Sequence, residues 1–82
     1  MEAESLRARI EHSIAELRAR HPRIAACRAA LEDWREGDEH RYALRLDIRW
    51  PQHQSLVAGP ARRSAEQAVQ AGFDKALKEL AC

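Results

Sequence analysis

The run Arg41-Tyr42-Ala43-Leu44-Arg45-Leu46-Asp47-Ile48-Arg49-Trp50-Pro51 alternates apolar and polar residues almost without error, and it constrains the fold more than any other segment. Tyr42, Leu44, Leu46, Ile48 and Trp50 fall on one face of an extended chain, and Arg41, Arg45, Asp47 and Arg49 on the other. A period of two with β-branched and aromatic members predicts a half-buried strand. Its wet face is largely arginine. The rest of the chain has to arrange itself around this strand, and the functional question is what those arginines meet.

Upstream, Ala3, Leu6, Ile10, Ile14 and Leu17 recur at helical spacing and predict a helix from about residue 3 to 20. Glu2 and Glu4 sit in its first turn and Arg18 and Arg20 in its last, as the helix dipole favours. His21-Pro22 stops it, because proline disfavours a helical residue before it. Ile24 to Glu32 follows, with Cys27, Ala29 and Leu31 on one face and Ala26, Arg28 and Ala30 on the other. Its place between a proline stop and a polar turn predicts a strand, although the alanines also permit a helix.

Trp34 to His40, containing Glu36-Gly37-Asp38-Glu39, reads as a polar hairpin loop, and Pro51-Gln52-His53-Gln54 as a second turn. Ser55 to Ala58 is long enough for a short third strand. After the Gly59-Pro60 break, Ser64-Ala65-Glu66-Gln67 matches a capping box. Behind it Ala65, Ala68, Val69, Phe73, Ala76, Leu77 and Leu80 form the apolar stripe of a second helix.

At 82 residues this is a single domain, residues 1–82, with room for one modest core. Two helix stripes and one sheet face satisfy each other in an α+β two-layer sandwich. Its order is helix-strand-strand-strand-helix, with two helices on one face of a three-stranded, mainly antiparallel sheet. The expected core is Leu6, Ile10, Ile14, Leu17, Cys27, Leu31, Leu44, Leu46, Ile48, Val69, Phe73, Leu77 and Leu80. Arg28, Arg45, Asp47 and Arg49 are expected on the opposite face.

No catalytic constellation stands out, so the expectation is no enzyme and no cofactor. His12, His21, His40 and His53 lie on a helix, a helix end and two loops, without a cysteine or acid at ligand spacing, so no metal site is expected. Ser55 and Ser64 have no nearby base. Cys27 reads as a small core residue, and Cys82 as a terminal thiol whose oxidation between chains would be incidental. The two cysteines fit no redox spacing, and no apolar run reaches membrane-spanning length. A cytoplasmic protein with reduced thiols and no membrane partner is the expectation.

Net charge is +1, from 14 basic and 13 acidic residues, which argues against a bulk electrostatic grip on a polyanion. Yet twelve of the basic residues are arginine, suited to bidentate contacts with phosphate or carboxylate, although GC-rich coding gives the same bias. Arg28, Arg45 and Arg49 on the open sheet face are one candidate anion-binding set. Arg62 and Arg63, just ahead of the second helix, are another, because a helix N-terminus adds backbone donors to side-chain charge. Each stands against a plain solvated surface. Lys75 and Lys78 are offset by Asp74 and Glu79, and Arg7, Arg9, Arg18 and Arg20 by Glu4, Glu11 and Glu16, as in ordinary surface salt bridges.

Pro22-Arg23-Ile24, Cys27-Arg28, Leu31-Glu32, Tyr42, Leu44-Arg45-Leu46-Asp47-Ile48, Pro51, Ala68-Val69 and Phe73-Asp74 through Leu80 together resemble the ribosome hibernation-promoting factors. These are also called ribosome-associated inhibitor or sigma-modulation proteins. The likeness runs in register from about Leu6 to Leu80 and lies in the order and spacing of several weak motifs. It implies a non-enzymatic domain that binds the small ribosomal subunit and its rRNA, modulating or inhibiting translation in resting or stressed cells. Arg28, Arg45, Arg49, Arg62, Arg63, Lys75 and Lys78 are the candidate RNA contacts, chosen for charge and expected exposure. The family opens with a strand ahead of the first helix, whereas this chain opens at the helix. A short form lacking that strand would have an unpaired sheet edge, a template for a homodimer.

Two other readings stand beside this one, and the first shares the order of elements. The segment Gly59-Pro60-Ala61-Arg62-Arg63-Ser64-Ala65 with Ala68 faintly resembles the start of the second helix in double-stranded RNA-binding domains. The near-zero charge suits a dimeric protein-interaction module that binds no nucleic acid.

Overall fold

A computed structural model describes residues 2–80, with side chains from residue 5 onward. Helix α1 (Glu2–Arg20) leads through a His21–Pro22 turn into strands β1 (Ala26–Glu36), β2 (Glu39–Arg49) and β3 (Gln54–Ala58), and α2 (Ala65–Leu80) closes the chain. The strands form one antiparallel sheet in the order β1-β2-β3. The expected α+β sandwich is what the chain adopts. Cys82 and the Ala3 contribution to the α1 stripe lie outside the described side chains.

The register carries the alternation of β2 across the sheet. Cys27, Ala29 and Leu31 stand opposite Ile48, Leu46 and Leu44, and Val57 and Ser55 opposite Leu46 and Ile48. Leu44, Leu46 and Ile48 are completely buried against Leu17, Ile24, Val57, Val69, Phe73 and Ala76. Cys27, Leu31, Leu77 and Leu80 are only partly buried around this centre. So are Leu6, Ile10 and Ile14, so α1 lies at the margin of the core and seals it mainly through Leu17. Ile24 and Val57 belong to the centre though neither was expected there.

The hairpin corrects the sequence reading. Trp34 to His40 is not a loop. Both strands continue to Glu36 and Glu39, joined by Gly37 and Asp38 alone. Gly37 has φ +64° and Asp38 a negative φ, as in the two-residue turn that places glycine first and matches strand twist. Polarity pointed to a loop, but a solvent-exposed ribbon tip is polar on both faces without leaving the sheet. The first strand is also shifted. It begins at Ala26, because Ile24 turns inward and its N–H donates to the His21 carbonyl at 3.0 Å.

Past β3 the chain keeps its grip on β2. Gly59 N–H donates to the Leu44 carbonyl, and Tyr42 and Arg62 exchange two backbone hydrogen bonds of 2.8 Å. The extra residue bulges at Pro60-Ala61, where proline has no N–H to pair. Ser64 then caps α2, its Oγ accepting from the Gln67 N–H at 3.1 Å, the serine half of the expected box. Arg9 reaches Glu66, and Ser13, Leu17 and Arg20 share a cleft with Gln70, Phe73 and Leu77, so the two helices run side by side in the same direction. The chain measures 42 × 26 × 17 Å, its long axis set by the eleven-residue hairpin strands.

Candidate nucleic-acid interface

The face of the sheet away from the helices is open. Register places Ala26, Arg28, Ala30, Glu32, Trp34 and Glu36 of β1 there, with Glu39, Arg41, Ala43, Arg45, Asp47 and Arg49 of β2 and Gln54, Leu56 and Ala58 of β3. Leu56 is 68% exposed and Trp34 38%. An open depression of about 420 Å³ lies here, with Ala30, Leu56 and Ala58 among Arg28, Glu32, Arg45 and Asp47.

The expected arginines are on this face, but they are largely matched. Arg45 donates to Glu32 at 3.1 Å. Arg49 stands 3.6 Å from Asp47, which also accepts from the Gln54 amide at 2.6 Å. Four arginines share the face with four carboxylates, and only Arg28 lacks an ion pair among its described residues. These pairs are exposed or partly exposed and individually weak, yet they leave the face as a whole with no net positive charge.

The other expected cations sit elsewhere. Arg63 lies 3.1 Å from Glu39 Oε1, whose Oε2 is buried 2.9 Å from Arg41 at an angle too oblique for a hydrogen bond. One carboxylate is thus held between two guanidiniums, tying the start of β2 to the approach of α2. Arg62, Lys75 and Lys78 share a second open depression, of about 470 Å³, with Pro60, Ala71 and Asp74. Lys75 is already engaged, donating to the Ala58 carbonyl at 2.8 Å and pairing with Glu79 at 3.8 Å. Asp74, in the same depression, accepts from the Gln70 amide at 2.9 Å. The seven expected contacts therefore divide among three places.

On α1 the expected intrahelical pairs give way to longer reaches. Arg9 pairs with Glu66 on α2, and Arg18 donates to the Ala25 carbonyl at 3.4 Å, while Glu16 faces His12. Burial first of all raises the Cys27 thiol above its ordinary value; Arg18 opposes this and Asp47 adds to it. A thiol so held is a poor nucleophile. Among the described residues no cluster of His, Cys, Asp and Glu is arranged to hold a metal ion. No helix there is long and apolar enough to cross a membrane.

Charge is instead separated along the molecule. Between Glu16 and Glu32 the chain carries Arg18, Arg20, Arg23 and Arg28 and no acid, and Arg49 stands across from Ala26 at the same end of the sheet. The hairpin tip is weakly acidic, with Glu32, Asp33, Glu36, Asp38 and Glu39 against Arg35 and Arg41 and the Arg45 and Arg63 that pair with Glu32 and Glu39. The basic end also carries aromatic rings. Trp50 stacks on His53 with centroids 5.4 Å apart and planes 15° apart, and His21 meets it edge-on at 6.3 Å. His21, Arg23, Trp50 and His53 had no place among the expected contacts. The signal available in the sequence was the acid-free run, which total charge conceals.

Comparison with protein-family models, with curated proteins and with solved structures finds no match.

Proposed function

We propose that this chain is a non-enzymatic RNA-binding domain that associates with the small ribosomal subunit through its rRNA and modulates translation in resting or stressed cells. The observation carrying the RNA reading is the separation of charge: Arg18, Arg20, Arg23, Arg28 and Arg49 gather at the end where α1 stops and β1 begins, against Asp47 on the sheet and Glu16 and Asp74 in the cleft beside Arg20. Local field, not net charge, governs contact with phosphate, because interactions beyond about a Debye length of roughly 8–10 Å are screened. The Glu36–Glu39 turn, at the far end of the eleven-residue β1, does not cancel it. The choice of ribosomal RNA comes from the sequence resemblance. Arg28 and Arg49 of the original contact set belong to this end, joined by Arg18, Arg20 and Arg23.

The test is binding to purified small subunits, a single-stranded RNA and an RNA duplex across a salt series. Each phosphate neutralised contributes a log–log slope of about −0.7 on single strands. Steeply salt-dependent retention on subunits is expected. Retention on duplex alone would move the protein to the double-stranded RNA reading, and no retention at low salt would end the RNA proposal.

A second reading has its own support: among the described residues the outer edge of β1 has no strand beside it along eleven residues, a template for a second copy. Sedimentation at high concentration tests it, a monomer counting against.

A further inference from the structure

We infer that the turn after β2 is a stacking site for an unpaired RNA base, built from Trp50, His53 and Arg23. This inference rests on the RNA-binding reading and gives it a ligand conformation, a single strand.

An open depression of about 320 Å³ is lined by Arg23, Trp50, Pro51, Gln52 and His53. Its indole is fixed in place. Trp50 packs on the hydrophobic core, its indole N–H donates to Ser55 Oγ at 3.0 Å, and its backbone N–H closes the turn on the His53 carbonyl at 2.8 Å. His53 is exposed and stacked on Trp50, so a further planar ring continues the stack at little cost in ordering. Arg23, on the preceding turn, is exposed and has no ion pair among the described residues.

The lining selects the ligand. It contains no carboxylate, and Arg23 repels a cation such as a methylated amine. A guanidinium beside aromatic faces suits a base with its phosphate, and Gln52 offers both a donor and an acceptor to a base edge. A base inside a duplex cannot reach such a platform, because its faces are covered by its neighbours.

A Trp34→Phe background leaves Trp50 as the fluorophore. Titration with a single-stranded RNA oligonucleotide at low salt should quench its emission, and the duplex of the same sequence should not. His53→Ala, at an exposed position, should weaken oligonucleotide binding roughly five- to hundredfold with an unchanged salt slope. His53→Phe should retain binding. Arg23→Ala should flatten the slope by about one phosphate contact, near 0.7. If His53→Ala binds like the parent, or RNA binds without quenching, the stacking site is overturned while RNA binding stands. If neither RNA form binds at low salt, both fall.

Discussion

Gly72 of α2 lies directly on Leu44 of β2. A methyl group at Gly72 would stand 2.7 Å from both Leu44 Cβ and Cδ2, inside any real carbon–carbon contact. Leu44 has no room to yield, being completely buried, so the helix descends onto the sheet only because this position has no side chain. The same crossing admits Gly59, where a Cβ would meet Gly72 Cα at 2.8 Å and the Leu44 carbonyl at 3.0 Å.

Gly72→Ala is therefore expected to destabilise the domain. Alanine gains about 1 kcal/mol of helix propensity, but overpacking typically costs about 1–3 kcal/mol, and here the obstruction is a side-chain root. A fall in melting temperature of several degrees is the expected outcome in a thermal scan. An unchanged or raised midpoint would show that α2 can lift without loss.

Neighbouring positions on β3 should respond oppositely to charge. Val57 is 3% exposed and points under the helices, whereas Leu56 points away from them. Val57→Asp and Leu46→Asp each place an unpaired charge in the core and should abolish cooperative melting. Leu56→Asp should shift stability by about 0.5 kcal/mol or less. Circular dichroism melts of the three variants check the sidedness of the sheet.

Cys27 predicts a dependence on alkaline pH. Its raised folded value means that the native chain favours the neutral thiol more than the unfolded chain does. That stabilisation is complete below the ordinary thiol value of 9.0 and is lost as pH rises toward the raised one. In a Cys82→Ser background, the urea midpoint should drop on passing above pH 9, and Cys27→Ala should drop less. Equal drops would refute the assignment.

The carboxylate between Arg41 and Arg63 makes a further prediction. Glu39→Gln removes one charge from a partly exposed cluster, so stability should change by about 1 kcal/mol or less. It also lessens the negative field at the hairpin tip, so RNA affinity at low salt should rise. Anisotropy titration of the two proteins with one oligonucleotide measures the difference, and weaker binding by the variant would contradict the charge-separation account.

Residues 41–51 were enough to place the central strand and its two faces, because alternation is a local property and one register satisfies it. The helix stripes, the proline stop after α1 and the serine cap of α2 were legible for the same reason. Three features were not. The length of the hairpin was hidden because an exposed ribbon tip and a loop share one composition. The neutralisation of Arg45 and Arg63 depended on which carboxylates cross-strand pairing and the bulge at Pro60-Ala61 brought alongside, whereas Asp47, the partner of Arg49, is on the same face of the same strand. The meeting of His21, Trp50 and His53 joins residues from a helix exit and a strand exit that only the antiparallel register brings to one end. Short-range periodicity fixes the elements and the side each residue shows, and both can be read from the order of residues. The pairing of Arg45 with Glu32, of Arg63 with Glu39 and of His21 with Trp50 came only with the tertiary fold, because Coulomb and ring contacts depend on distances between segments remote along the chain.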